Sequence, residues 1–250
     1  MIPLRDDNPT RRFPIVVVAL IATNCAIFIY QMTLPPLQYH LLAYKYGAIP
    51  AVLLSGAGLV EVMPPDLRQV VEMYGLRVTP LEPIWISLVT SMFLHGGLLH
   101  LGLNMLYLWI FGNNVEDVLG HFRFVVFYLV CGLIAACAQI LMGVRSPLPM
   151  IGASGAIAGV LGGYYVKFPH ARVQCFVFLL IFFTVVWLPA GLVLLLWFLL
   201  QVLQGLQSGA GQGGVAFFAH IGGFLAGLAL IRRFQPKRSR LRLANWSDRR

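Results

Sequence analysis

The feature that most constrains this chain is a series of long runs from which charge is nearly absent. Stretches 13–33, 93–112, 122–142, 150–168, 173–203 and 215–233 hold no Asp or Glu, and their only basic residues are Arg123, Lys167, Arg232 and Arg233, all near run ends. A helix needs about 20 apolar residues, at roughly 1.5 Å rise each, to cross the hydrocarbon core of a bilayer. Inside that core every backbone N–H and C=O must be satisfied within the protein, which favours helices for such runs. Composition agrees: 59% of the 250 residues are hydrophobic and 11% are charged, against about 25% charged in soluble domains. The expected fold class is an all-α polytopic membrane protein with six transmembrane helices and a long loop, residues 34–91, between helices 1 and 2. That loop includes "YGAIPAVLLSGAGLV", too short and glycine-rich to span, which is expected to lie in the interface or dip back.

The net charge of +9 is unevenly placed: eight of the eighteen Lys/Arg fall after residue 231. No aromatic-interleaved basic face accompanies them, so the tail reads as an anchor to anionic membrane lipids rather than a nucleic-acid site. With the N-terminus inside, the inner segments carry fourteen Lys/Arg and the outer ones only Lys45, Arg68, Arg77 and Arg145. Both termini are therefore expected on the cytoplasmic side. A seventh crossing at Pro189 would put the basic tail outside, so 173–203 reads as a single span that Pro189 kinks or interrupts. The division is a cytoplasmic segment 1–12, a membrane domain 13–233 and a basic cytoplasmic tail 234–250. The run from Phe13 is too long for a cleavable signal. Cys25, Cys131, Cys137 and Cys175 all lie in apolar runs and read as core residues.

Polar side chains inside spans are costly and usually functional. The second run carries His95, His100 and Asn104, the fourth Ser154 and the sixth His220. In this topology all three runs pass from outside to inside. Ser154 and His220 then lie roughly 7–9 Å below the outer surface. His100 and Asn104, four apart, share a helix face and reach a similar depth if Gly96-Gly97 delays the helix start. A serine hydroxyl needs a base to become a nucleophile, and histidine is the usual one. The oxyanion formed on an amide needs preorganised donors, for which the Ser154 N–H, the Asn104 amide and His100 are suitable types. Gly152 and Gly155 leave room beside the serine. Taken alone, Ser154 reads as close-packing glue before it reads as a nucleophile, since Gly155-xxx-Gly159 is itself a helix-approach motif. His95 reads as holding a loop. No H-E-x-x-H occurs, and no metal site or cofactor is expected. No Asp or Lys stands in a span where an aspartyl or Ser–Lys mechanism would need it.

"HGGLLHLGLNMLYLWIFGNNVED", "GASGAIAG" and "AHIGGFLAG", in this order on runs 2, 4 and 6, resemble the rhomboid intramembrane serine proteases, over roughly residues 13–233. That resemblance implies Ser154 as nucleophile and His220 as general base of a Ser–His dyad, with His100 and Asn104 stabilising the oxyanion. It implies Glu116 as a structural acid in a "GxxVE" element, and Gly223 and Gly227 as small residues that let run 6 pack against run 4. The implied reaction is cleavage of a peptide bond in or near a transmembrane segment of a substrate protein. The alternative is a non-catalytic member that captures membrane clients. Some members carry a tyrosine four residues after the nucleophile to support the histidine; here that position is Ala158, and nothing in the sequence names the substitute. No aspartate completes a triad, so slow turnover is expected. The fifth run, with Pro189, Trp187 and Trp197, is the expected gate, and the 34–91 loop the expected cap. The arginine asymmetry points to a bacterial inner membrane. Substrate identity and oligomeric state are not legible.

Overall fold

The structure, a computed structural model, describes residues 1–179, 182–208 and 216–236. A short strand, β1 (Ile2–Asp6), precedes helix α1 (Ile15–Thr33). The following loop contains α2 (Pro36–Tyr46), α3 (Pro50–Ser55), α4 (Pro65–Met73) and the single turn α5 (Ser87–Thr90). Helix α6 (Leu98–Tyr107) continues through a π-helical turn, Leu108–Gly112, into α7 (Asn113–Leu119), and Gly120, with φ of 79°, breaks the chain before α8 (His121–Met142). Then come α9 (Ser154–Lys167), a hairpin of β2 (Arg172–Leu179) and β3 (Phe182–Pro189), α10 (Ala190–Ser208) and α11 (Phe217–Phe234). This is a helical bundle. Among the described residues four helices (α1, α8, α10 and α11) are long and apolar enough to cross a membrane. A fifth is gained if Ile84–Phe93 and Leu98–Leu119, bent by 83°, count as one broken span. The six-span reading rests further on α9, which at 14 residues is only about 21 Å long.

Two departures from the sequence reading concern the ends of that bundle. Residues 173–179 and 182–189 are not the first part of a single fifth span that Pro189 kinks or interrupts: they form two antiparallel strands, and β1 pairs with β2 to make a three-stranded sheet in the order β1-β2-β3. The spanning helix begins only after Pro189, a residue whose missing N–H and fixed φ suit a position just ahead of a helix. The second is the loop 34–91, the expected cap, which carries helices that the sequence reading did not assign. Tyr44, Ile49, Val52, Leu59, Met63 and Val71 bury a small core of their own. Ala48 and Met150 exchange backbone hydrogen bonds of 3.1 and 2.8 Å, fastening this cap four residues ahead of Ser154. Of the expected basic tail, residues 237–250 lie outside the described residues. Cys131 and Cys175 are buried, whereas Cys25 is half-buried and Cys137 exposed on the bundle surface, so only two of the four are core residues.

The bundle centre is α9, buried almost throughout and sandwiched by α8 and α11. Glycines permit it. A Cβ at Gly223 would collide with the Gly155 carbonyl oxygen, one at Gly227 with that of Gly159, and one at Gly162 with that of Phe224. Each helix thus presents small residues one turn apart to the other's backbone, the arrangement that favours helix contact in lipid. On the other flank, a Cβ at Gly155 would stand 2.8 Å from Ala135 of α8. Glu116 is far from Ser154 and caps α1: its two carboxylate oxygens accept the N–H groups of Val16 and Val17 at 3.0 and 2.8 Å, and His121 Nδ1 lies 2.5 Å from Oε1. It satisfies two of the orphan donors at that helix start with a negative charge where the helix dipole favours one.

Candidate active site

Ser154 is the first residue of α9, and His220 stands in the first turn of α11. Both sit at the mouth of the bundle. The glycine contacts between the two helices hold their ends together, and His220 Nε2 comes within 2.8 Å of Ser154 Oγ. The helix start bearing Ser154 has no side-chain cap, and such a terminus carries a partial positive charge. The approach is shaped by Gly152, whose φ is 119° and whose N–H is held by the Ser91 carbonyl at 2.8 Å. A Cβ there would stand 2.8 Å from His100 Cε1 and Nε2 and 3.8 Å from Ser154 Oγ. The missing methyl is what lets the His100 imidazole lie beside the serine.

His100 and Asn104 sit one turn apart on α6, as their spacing predicts. Asn104 is buried and donates through Nδ2 to the His100 carbonyl at 3.0 Å. One amide hydrogen is thus engaged within its own helix, and the second remains to serve another acceptor. His95 precedes α6 and is wholly buried, with its ring against His100 at 5.1 Å between centroids. The two rings therefore meet, which the five-residue spacing on a continuous helix would not allow. Among the described residues no group of three or more His, Cys, Asp or Glu is placed to hold a metal ion.

Three side chains unremarked in the sequence hold this arrangement. Gln31 of α1 brackets His95, donating to its carbonyl at 3.1 Å and accepting its N–H at 3.2 Å. Gln139 of α8 accepts the Ala219 N–H at 3.2 Å, at the start of α11. Gln201 of α10 places Oε1 at 2.7 Å from His220 Nδ1. The signal that could have found them is the one that found Ser154 and His220: each is a polar residue in an apolar run. Trp197, also on α10, lies with its ring 5.8 Å from that of His220. Trp187, expected on the same gate helix, is instead in β3, under the Arg5 guanidinium.

Chemically, a hydroxyl hydrogen-bonded to an imidazole, beside an uncapped helix start and a second imidazole, has the parts for nucleophilic acyl transfer. Comparison with known proteins identifies the family. Residues 82–236, which include every one of these side chains but Gln31 and Arg5, match the family model described as the Rhomboid domain. The chain is 38% identical over 97 residues to "Rhomboid protein 1, mitochondrial" of Saccharomyces cerevisiae, covering 37% of this chain and 28% of that protein. It is 45% identical over 78 residues to "Rhomboid protease GluP" of Bacillus subtilis, covering 31% and 15%. To "Presenilin-associated rhomboid-like protein, mitochondrial" of Rattus norvegicus it is 32% identical over 172 residues, covering 67% and 43%. The matched stretches thus span less than half the length of each of these relatives. With the family model matched over more than half of its residues, this chain belongs to the rhomboid family of integral membrane proteins.

Proposed function

We propose that this protein is an intramembrane serine endopeptidase that cleaves a peptide bond in or beside a transmembrane segment of its substrates. The observation that carries this reading is the 2.8 Å contact between Ser154 Oγ and His220 Nε2 at the open ends of α9 and α11. In the reaction His220 Nε2 takes the hydroxyl proton while Oγ attacks the scissile carbonyl. The oxyanion is met by the Ser154 N–H, by His100 and by the second amide hydrogen of Asn104. The imidazolium then protonates the leaving amine, and water, activated by the same base, hydrolyses the acyl-enzyme. A substrate helix hides its amides in its own hydrogen bonds, so good substrates carry helix-weakening residues near the cut. The Lys/Arg distribution supports cytoplasmic termini and a site near the opposite face, as in a bacterial inner membrane.

The test is labelling of the purified protein by a fluorophosphonate probe. Wild type is expected to label, with Ser154→Ala abolishing labelling and His220→Ala slowing it by on the order of 10³-fold or more. A folded wild type that takes up no probe would overturn the protease reading in favour of a client-binding member of the family.

A further inference from the structure

Proton transfer from Ser154 requires His220 in one tautomer, with hydrogen on Nδ1 and the lone pair on Nε2 facing Oγ. It also requires a ring that does not turn about its χ angles. Position 158, one turn along from Ser154, is alanine and offers neither acceptor nor aromatic wall. We propose that Gln201 of α10 is the positioning residue for His220, its amide oxygen holding Nδ1–H so that Nε2 stays basic and aimed at Ser154. This inference rests on the reading of Ser154 and His220 as nucleophile and base.

Four observations support it. Gln201 Oε1 lies 2.7 Å from Nδ1, on the opposite edge of the ring from the 2.8 Å contact to Ser154, so Ser154, His220 and Gln201 form one continuous relay. Both Gln201 and His220 are buried at 9% exposure, where a hydrogen bond is not exchanged with water. Trp197, four residues before Gln201 and hence on the same face of α10, sets its ring 5.8 Å from the imidazole at an angle of 35°. That ring supplies the wall that Ala158 lacks. Finally, α10 is itself keyed against α11: Trp197 and Phe198 pack on Phe224 at 6.1 and 4.7 Å, one turn beyond His220. The acceptor and the wall thus come from a neighbouring helix whose rotation is set by aromatic contacts beside the base.

A neutral amide suits this place. A carboxylate here would be a buried charge in a helix bathed in lipid, which costs several kcal/mol unless fully compensated. An amide fixes the tautomer without that cost, as in the Cys–His–Asn constellation of papain-like proteases. It leaves the imidazolium without a counter-charge. A glutamine serving only to tie α10 to α11 would contribute the modest energy of an interhelical hydrogen bond and would leave the pH dependence of the serine untouched.

That difference is the test. Second-order rates of fluorophosphonate labelling are measured against pH for the full-length wild type, Gln201→Leu and Gln201→Glu, with thermal melting as a check of folding. His100, the titratable ring beside Gly152 and Ser154, is unchanged in both variants. Gln201→Leu is expected to lower the plateau rate by roughly 10- to 100-fold. Gln201→Glu, keeping an acceptor and adding charge, is expected to retain most of the rate and move the acid limb up by about one pH unit or more. A folded Gln201→Leu that labels at the wild-type rate, or a Gln201→Glu whose limb coincides with that of wild type, overturns the proposal alone. Failure of wild type to label removes it together with the protease reading.

Discussion

At position 152 a single methyl group decides the geometry of the site. The φ of 119° is outside what an L side chain readily adopts, and the added carbon would press on His100 at 2.8 Å. Gly152→Ala is therefore expected to displace the His100 ring and to cost about 1–3 kcal/mol of backbone strain. Probe labelling should fall at least about tenfold while a thermal melt shows the protein still folded; unchanged labelling would mean that the His100 ring is not where the reaction needs it. Ser154, His220, His100 and Asn104 were legible because a polar atom in an apolar run must have a reason to be there. The same logic applied to Gln31, Gln139 and Gln201, but the sequence does not reveal their partners. Gln201 meets a ring 19 positions away and Gln31 a backbone 64 positions away. Such pairings depend on helix rotation, which residue spacing along one run does not encode.

At the scale of elements, the glycines of α9 and α11 matter as a pair of surfaces. The Gly227 side of α11 lies directly on the Gly159 carbonyl, so Gly227→Leu must drive the helices apart. Overpacking of this kind costs about 1–3 kcal/mol or more, and the gap opens one turn beyond the Gly223–Gly155 contact that sets the distance between Ser154 and His220. Gly227→Leu is expected to lower both the melting temperature and the labelling rate, whereas Leu225→Ala, on the exposed face of α11, should leave both near wild type. Helix positions in this bundle were readable from apolar length, to within a few residues for α1, α8, α9 and α11. The run 173–203 was not, because an apolar strand and a membrane helix look alike when hydrophobicity is unbroken. The distinguishing signal lay in residue type. Val173–Trp187 is rich in β-branched and aromatic residues, and Gly191–Gln204 is rich in leucine, with Pro189 marking the change.

Across the whole molecule, the chemistry and its supports divide between two sets of helices. The side chains proposed to react and to meet the oxyanion come from α6, α9 and α11, and the glutamines that brace their surroundings come from α1, α8 and α10. At the far end of α9, about 15 Å from Ser154, the sheet is fastened by Asp6, whose carboxylate accepts Tyr164 O–H at 2.6 Å and the Asn114 amide at 2.8 Å. Burial raises the Asp6 pKa from 3.8 to about 6. Between those values the folded protein binds the proton that the unfolded chain has released, so the contribution of Asp6 is full below about pH 4, falls as pH rises through 6 and is flat above. Its size is on the order of 1 kcal/mol once partial exposure is allowed for. The melting temperature of wild type minus that of Asp6→Asn is expected to decline from pH 4 to pH 6.5; a pH-independent difference would show that the carboxyl is not held as described.

The pairing of Ile2 with Phe176 also sets an order of events during synthesis. At about 5–20 residues per second, β1 leaves the ribosome roughly ten seconds or more before its partner strand has been made. Through that interval β1 is without this partner, and four of the apolar helices are already translated. The sheet is therefore a late closure, joining the first residues of the chain to a connection that exists only once Ser154 has been incorporated.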